Sequence, residues 1–268
     1  MGHTRLGTVP KTRKWNEIVE QIAGHNLAAE VANATADVDS IAAATLKAAQ
    51  KSLEKAAHDP GVLFSFFLLT QVALAARTSN WQAALGTYGI HLSDDSTVFD
   101  FTAELQDAID RYLAQTPLSS TDLSEIAQQS AGEAIASLAG TRTPSLFGAS
   151  SDEVQSAIRS LSTKKGFGEL GQRFFGRFIG RFLNFYLSRV TAANLGSPRL
   201  PHLGDVARFN DALKIHCEQS ARIVRDFCGE WYSKTEYQQG IDLANTSRFV
   251  AVALGKLRSE LEQQRALL

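Results

Sequence analysis

Apolar residues along this chain recur every three or four positions, and a strand-like alternation of Val, Ile, Thr and Tyr is hard to find anywhere. Trp15, Ile18, Val19 and Ile22 share one helical face behind Thr12, which predicts a helix from Trp15 to about Gly24, interrupted by His25 and Asn26. An alanine-rich stretch follows from Leu27 to Ala57. Its first half keeps a seven-residue spacing (Leu27, Ala34, Ile41; Val31, Val38), and then the stripe shifts, which predicts a bend or an ordinary bundle helix and not a long coiled coil. Asp59–Pro60 pairs an N-cap acid with proline at the first helical position, opening an apolar helix that runs to about Arg77.

Further start signals follow. Ser79 with Gln82 reads as a capping box for a short helix ending near Gly86 to Gly89, and Ser96 or Thr97 opens a helix through Phe101, Leu105, Ile109 and Leu113. A turn from Pro117 to Thr121 leads into 122–139, and Ser150 to Glu153 is a second capping box for a helix ending near Thr163. Lys164 to Gly168 reads as a turn before a long helix from about Glu169 to Asn194, which Gly196 and Pro198 stop. Asp205 then caps the first of two final helices, at about 206–233 and 240–266. The pattern predicts an all-α bundle of about nine helices in two contiguous halves. These are an N-terminal region, 1–140, a linker at 141–150 rich in Gly, Ser, Thr and Pro, and a C-terminal region, 151–268.

With 44% hydrophobic and 21% charged residues, the 268-residue chain can bury an ordinary core without disulfide or metal staples. Cys217 and Cys228 are placed on one helix, roughly 16 Å apart at 1.5 Å per residue, and read as buried structural thiols. Neither a signal peptide nor a myristoylation pattern is legible in Met1 to Gly7, which predicts a cytoplasmic protein. The apolar run 62–76 is shorter than the roughly 20 residues that span a bilayer.

Charge changes the picture more than composition does. The net charge is −1, so a whole-molecule basic field for nucleic acid is absent. Yet Ser79 to Gly140 holds nine acids against Arg111, and Lys164 to Arg208 holds eight bases against Glu169 and Asp205. The basic arm Arg5, Lys11, Arg13 and Lys14 is a candidate for phosphate or nucleic-acid contact.

The stretch from Arg173 to Leu187 carries the most information. Arg173, Arg177 and Arg181 recur every four residues and form a narrow basic stripe. Five phenylalanines, Phe174 and Phe178 among them, cover most of the remaining circumference, and Gly176 and Gly180 leave room for a second helix to approach. Three environments suit such a helix: a bundle centre with the arginines turned to the acidic segment, a partner interface built on Arg173, Arg177, Arg181, Phe174 and Phe178, or an anionic membrane surface.

No chemistry-bearing motif accompanies it. Gly166 to Gly171 matches GxGxxG, but without a preceding strand it carries no dinucleotide reading. His91 with Asp94 and Asp95 is the only close His–carboxylate group, and His216, Cys217 and Glu218 point in different directions from one helix. No catalytic, metal or cofactor residues are assigned. The expectation is a non-enzymatic subunit that binds another protein or itself within a larger assembly, a bacterial antiviral defence module being one setting. The alternatives are a peripheral membrane or pore-forming protein using 62–76 and 169–190, and an enzyme with an unfamiliar helical site at His91, Asp94 and Asp95.

Overall fold

The helix at the centre is fixed at its first residues. The Asp59 carboxylate accepts hydrogen bonds from Gly61 N at 3.0 Å and Val62 N at 3.1 Å, and Pro60 occupies a position whose missing N–H costs nothing. The helix this opens, Pro60–Ala75, buries 13 of its 16 residues, so it has no solvent face and can only sit inside a bundle.

The computed structural model describes residues 12–24, 34–116, 120–143 and 150–263. Among them are twelve α-helices and no strand, with 81% of residues helical. The helices are α1 (Arg13–Ala23), α2 (Ala34–Ala48), α3 (Gln50–Ala56), α4 (Pro60–Ala75), α5 (Trp81–Gly86), α6 (Val98–Gln115), α7 (Asp122–Gly140), α8 (Ser151–Leu161), α9 (Lys164–Ala193), α10 (Leu203–Ser220), α11 (Arg222–Gln239) and α12 (Leu243–Gln263). The all-α bundle is as the periodicity predicts. Two of the additional helices come from breaks, at Ala49 and at Ala221. The first settles the alternatives left by the shifting stripe in favour of a bend. The second divides the single helix expected over 206–233, so Cys217 and Cys228 lie on different helices. Most of the linker, 144–149, lies outside the described residues, as do Leu27, Val31 and Pro117.

Several caps follow the sequence signals. Thr97 and Asp100 form a reciprocal capping box on α6, and Ser150 and Glu153 form another on α8. Three expectations are corrected. Ser79 and Gln82 form no box, because the Gln82 amide donates to Asp94 and to Ser151 Oγ instead. Lys164 to Gly168 is not a turn but the start of α9: Thr163 Oγ1 accepts from Gly166 N at 3.0 Å, and a glycine-rich first turn goes on as helix. Asp205 closes a box onto His202 N and is not itself the N-cap.

At 30 residues, about 45 Å at the standard rise, α9 is the second central element. It packs against α7 on one side and α10 and α11 on another, and touches α1, α2, α4 and α8. Phe66 of α4 meets Phe167, Phe174 and Phe175 of α9, Trp231 of α11 and Phe249 of α12, with ring centroids 5.1–6.0 Å apart. One hydrophobic cluster runs through both central helices.

α4 and α7 are also joined at their starts. Asp59 accepts from Ser124 Oγ at 2.9 Å and from Thr121 Oγ1 at 2.6 Å, while Thr121 caps α7. A side chain on Gly61 would stand 2.4 Å from Ser124, so the glycine is what lets the two N-termini converge.

Candidate functional site

The α9 arginine stripe lies along a seam between α7 and α10. α7 places Gln129 and Glu133 one turn apart on the facing side, and α10 supplies Glu218. Arg177 Nη1 donates to Glu133 Oε2 at 2.6 Å. Arg181 donates to the other Glu133 oxygen and, at 2.7 Å, to Gln129 Oε1. Arg173 Nη1 donates to Glu218 Oε2 at 2.8 Å, and Arg177 Nη2 is 4.0 Å from Glu218 Oε1. Three arginines and two carboxylates thus alternate across the seam. The pairing within the fold that charge suggested is found for Arg177 and Arg181, whose partner Glu133 belongs to the acidic segment. Arg173 takes its partner from α10 instead.

Burial grades the ladder. The Arg177 side chain is 14% exposed, against 43% for Arg173 and 36% for Arg181. Partial burial by itself would raise the Glu133 carboxyl. The hydrogen bond from Arg177, followed by the charge and hydrogen bond of Arg181, outweighs it and holds Glu133 below the ordinary carboxylate range. Among the described residues, Arg177 Nε and Glu218 Oε1 are buried without a hydrogen-bond partner, as are Asn184 Oδ1 on α9 and Asn210 Oδ1 on α10.

Glycines set how closely α10 and α11 approach. A Cβ on Gly176 would stand 3.0 Å from Glu218 Cα and 3.3 Å from Ala221 Cβ, and one on Gly180 would be 3.6 Å from Cys217 Cβ. One on Gly168 would meet the Arg225 carbonyl at 2.6 Å, and one on Gly171 the Cys228 sulfur at 2.2 Å. The close approach read from Gly176 and Gly180 is therefore realised by α10. The GxGxxG spacing is the sequence trace of helix packing, since all three glycines lie inside α9. Both thiols are buried against this flank, and burial pushes each well up, leaving them protonated.

Two clefts flank the ladder. One, of about 400 Å³, lies between α9 and the α10–α11 break, with Arg173, Arg222, Arg225 and Ile215 in its lining. The other, of about 250 Å³, lies over Gly176 and Gly180, between Glu133, Arg177 and Arg181 on one side and Asp211 and Lys214 on the other. Together six bases face four acids. Arg222 and Arg225 form no ion pair among the described residues. They occupy the first turn of α11, which contains no acid and no side-chain cap, so they add to the positive end of the helix dipole.

The other sequence candidates are placed as follows. Phe174 and Phe178 are fully buried against α4 and along α9, so the surface of the folded chain offers the arginines and not these rings. Arg5 and Lys11 lie outside the described residues. Arg13 is exposed beside Glu17 at 3.3 Å, and Lys14 is exposed. His91 N donates to Glu104, Asp94 accepts from Gln82 and Asp95 from Ser93 Oγ, and no bond among the described residues joins the His91 ring to either aspartate. No group of three His, Cys, Asp or Glu among the described residues could hold a metal. No single described helix is long and apolar enough to cross a membrane. Gln50–Ala56 with Pro60–Ala75 meets the length and composition test only as a pair bent by 49°.

Sequence reasoning missed Glu218 as the second carboxylate of the ladder, and a buried contact of His216 Nδ1 with Asp39 Oδ1 at 2.8 Å. Both depend on α2, α9 and α10 meeting in space, and no local spacing encodes that. Compared with family models, characterised proteins and solved structures, the chain matches none.

Proposed function

We propose that this chain is a non-enzymatic helical subunit that docks another protein, or a second copy of itself, in the cleft beside the α9 arginine ladder. The observation that carries the reading is the cleft between α9 and the α10–α11 break. It combines guanidinium groups with an apolar wall at Ile215, which is 56% exposed, and Arg222 and Arg225 there lack carboxylate partners among the described residues. Arginine beside exposed aliphatic surface is a composition enriched where proteins meet. The aromatic residues of α9, by contrast, serve the core. The test is affinity purification from the source cells with three baits: the native chain, Arg222→Glu/Arg225→Glu, and Arg248→Glu as an exposed control on α12. The expected result is a stoichiometric protein lost only with the cleft variant. Equal recovery by all three baits refutes the reading.

A second reading has one observation in its favour. α4 is apolar on every face, and a helix of that kind could enter a bilayer if the bundle opened. Liposome flotation separates the two readings, because a docking subunit stays with the soluble fraction.

A further inference from the structure

We infer that the group captured by the cleft between α9 and the α10–α11 break is a phosphate monoester, carried on a phosphorylated serine or threonine of the docked protein. The inference rests on the docking reading above and names the chemistry that the cleft recognises.

Charge in the cleft resolves pair by pair. Its two carboxylates are already engaged. Glu169 accepts from Arg142 Nη2 at 2.9 Å, and Glu218 Oε2 accepts from Arg173 Nη1 at 2.8 Å. The other Glu218 oxygen is buried, 4.0 Å from Arg177 Nη2, so it does not face an incoming anion. Arg222 and Arg225 of the lining are left with no ion pair among the described residues. They are a surplus of two guanidinium charges. A phosphate monoester brings about two negative charges at neutral pH and three acceptor oxygens, whereas a carboxylate brings one charge. The surplus therefore matches the dianion, and the planar guanidinium fork fits phosphate oxygens two at a time.

The two arginines are also positioned. They stand three residues apart on α11 and so share one face. Gly168 lets α11 come down onto α9. A Cβ there would stand 2.6 Å from the Arg225 carbonyl oxygen and 3.5 Å from Arg225 Cγ, so the stem of Arg225 lies against α9 and the residue is half-buried. A stem held by packing has less freedom to lose when its guanidinium binds.

The apolar part of the lining argues for a protein as the carrier of the phosphate. Ile215, exposed, and Leu138, half-buried, share the cleft with the arginines. A bare inorganic anion makes no use of such a wall. A phosphorylated side chain arrives with neighbouring residues that can cover it, and an arginine cluster beside a pocket for a flanking side chain is a recurring way to read phosphorylation.

The test has two arms. In the first, phenyl phosphate is titrated into the full chain by calorimetry at about 0.15 M salt, with benzoate as the singly charged counterpart. The expected result is one phenyl phosphate per chain, bound about tenfold more tightly than benzoate. Arg222→Gln/Arg225→Gln is expected to lose about tenfold in affinity, and Arg248→Gln on α12 to lose none. Arg222 is exposed, so Arg222→Gln alone carries this arm if the double variant melts early, with an expected loss of about threefold. In the second arm, the affinity purification with the native bait is repeated on lysate treated with phosphatase. The partner is expected to be absent after treatment, and to be displaced from the untreated bait by phenyl phosphate. Phenyl phosphate that binds no better than benzoate, or equally well to the native and Arg222→Gln chains, overturns the inference. A partner that survives phosphatase but is lost with Arg222→Glu/Arg225→Glu refutes phosphate recognition and leaves the docking reading standing. Phenyl phosphate held through Arg222 while no bait recovers a protein refutes the docking reading and this inference together, because the occupant is then a free phosphate compound.

Discussion

α4 and α9 are both central, yet they are buried in different ways. α4 has no titratable side chain and turns an apolar residue to every neighbour. α9 divides its circumference: phenylalanines toward α4, glycines toward α10 and α11, and three arginines along the seam with α7 and α10. A helix of the first kind can contribute cohesion only. A helix of the second kind contributes cohesion on one side and keeps a charged edge at the surface of the same element. The difference shows how a bundle can present a binding edge without giving up its centre.

The largest effect is expected on the α4 side. Phe66 is fully buried and stacks with rings from three other helices, so Phe66→Ala leaves a cavity that no single neighbour can fill. The expected cost is about 3–5 kcal/mol. Urea unfolding at low and high salt checks it: the loss is expected to be the same in both, because no charge is involved. A loss under about 1 kcal/mol would place Phe66 outside a packed core.

Next comes Arg177→Glu, which brings a third carboxylate between Glu133 and Glu218 at the least exposed rung of the ladder. Breaking such a pair and leaving like charges together costs about 3 kcal/mol or more. Arg177→Met is expected to cost less, because Arg181 still serves Glu133 and Arg173 still serves Glu218. If the glutamate and methionine variants unfold at the same urea concentration, the ladder contributes packing and not charge, and the contrast with α4 disappears.

Much of this contrast was legible beforehand, and the reason lies in range. Asp59–Pro60, Thr97 with Asp100, and Ser150 with Glu153 act on backbone groups two or three residues away, so the sequence carries their whole mechanism. The arginine period and the apolar ring of α9 are local as well. The start of α9 was misread because Gly166 and Gly168 look like turn residues, whereas each is where another backbone comes near: the Ser160 carbonyl at 2.3 Å and the Arg225 carbonyl at 2.6 Å from a would-be Cβ. The break at Ala221 leaves no mark, because its φ and ψ of −68° and −6° remain in the right-handed region and neither Gly nor Pro is needed. Glu218 was invisible as a partner of Arg173, 45 residues away in the chain.

A smaller effect tests the glycine flank. Gly171→Ala would put a Cβ 2.2 Å from the Cys228 sulfur, and the overpacking is expected to cost about 1–3 kcal/mol. Adding Cys228→Ala should recover part of it. Gly255→Ala on α12 is the control: nothing lies within 4 Å of its Cβ, and helix propensity alone should stabilise by about 0.5–1 kcal/mol. Opposite signs in thermal melting are the expected outcome. A shared sign would mean that α11 does not press on α9 at Gly171.

The smallest effect concerns pH, and of the two central helices only α9 takes part in it, through Glu133 of α7 and through α10, since α4 has nothing to titrate. Burial lowers the His216 imidazole below its ordinary value near 6.5, and the Asp39 carboxylate opposes that shift without cancelling it. A histidine with a folded value below its unfolded one binds its proton more readily when unfolded. Its contribution is therefore full above about pH 6.5 and is lost as pH falls from there toward the lower folded value. Glu133 is also depressed, from an ordinary value of 4.5, so its contribution is full above that pH and is lost on further acidification through its folded value. Two successive losses are expected on acidification, the histidine's first. His216→Gln should flatten the upper step and leave the lower one, and Glu133→Gln should do the reverse, with screening by solvent keeping the second step shallow because Glu133 is 41% exposed. Denaturant unfolding from pH 7.5 downward reads both steps. An upper step that persists unchanged in His216→Gln would mean that the His216–Asp39 contact does not couple α2 and α10 to pH.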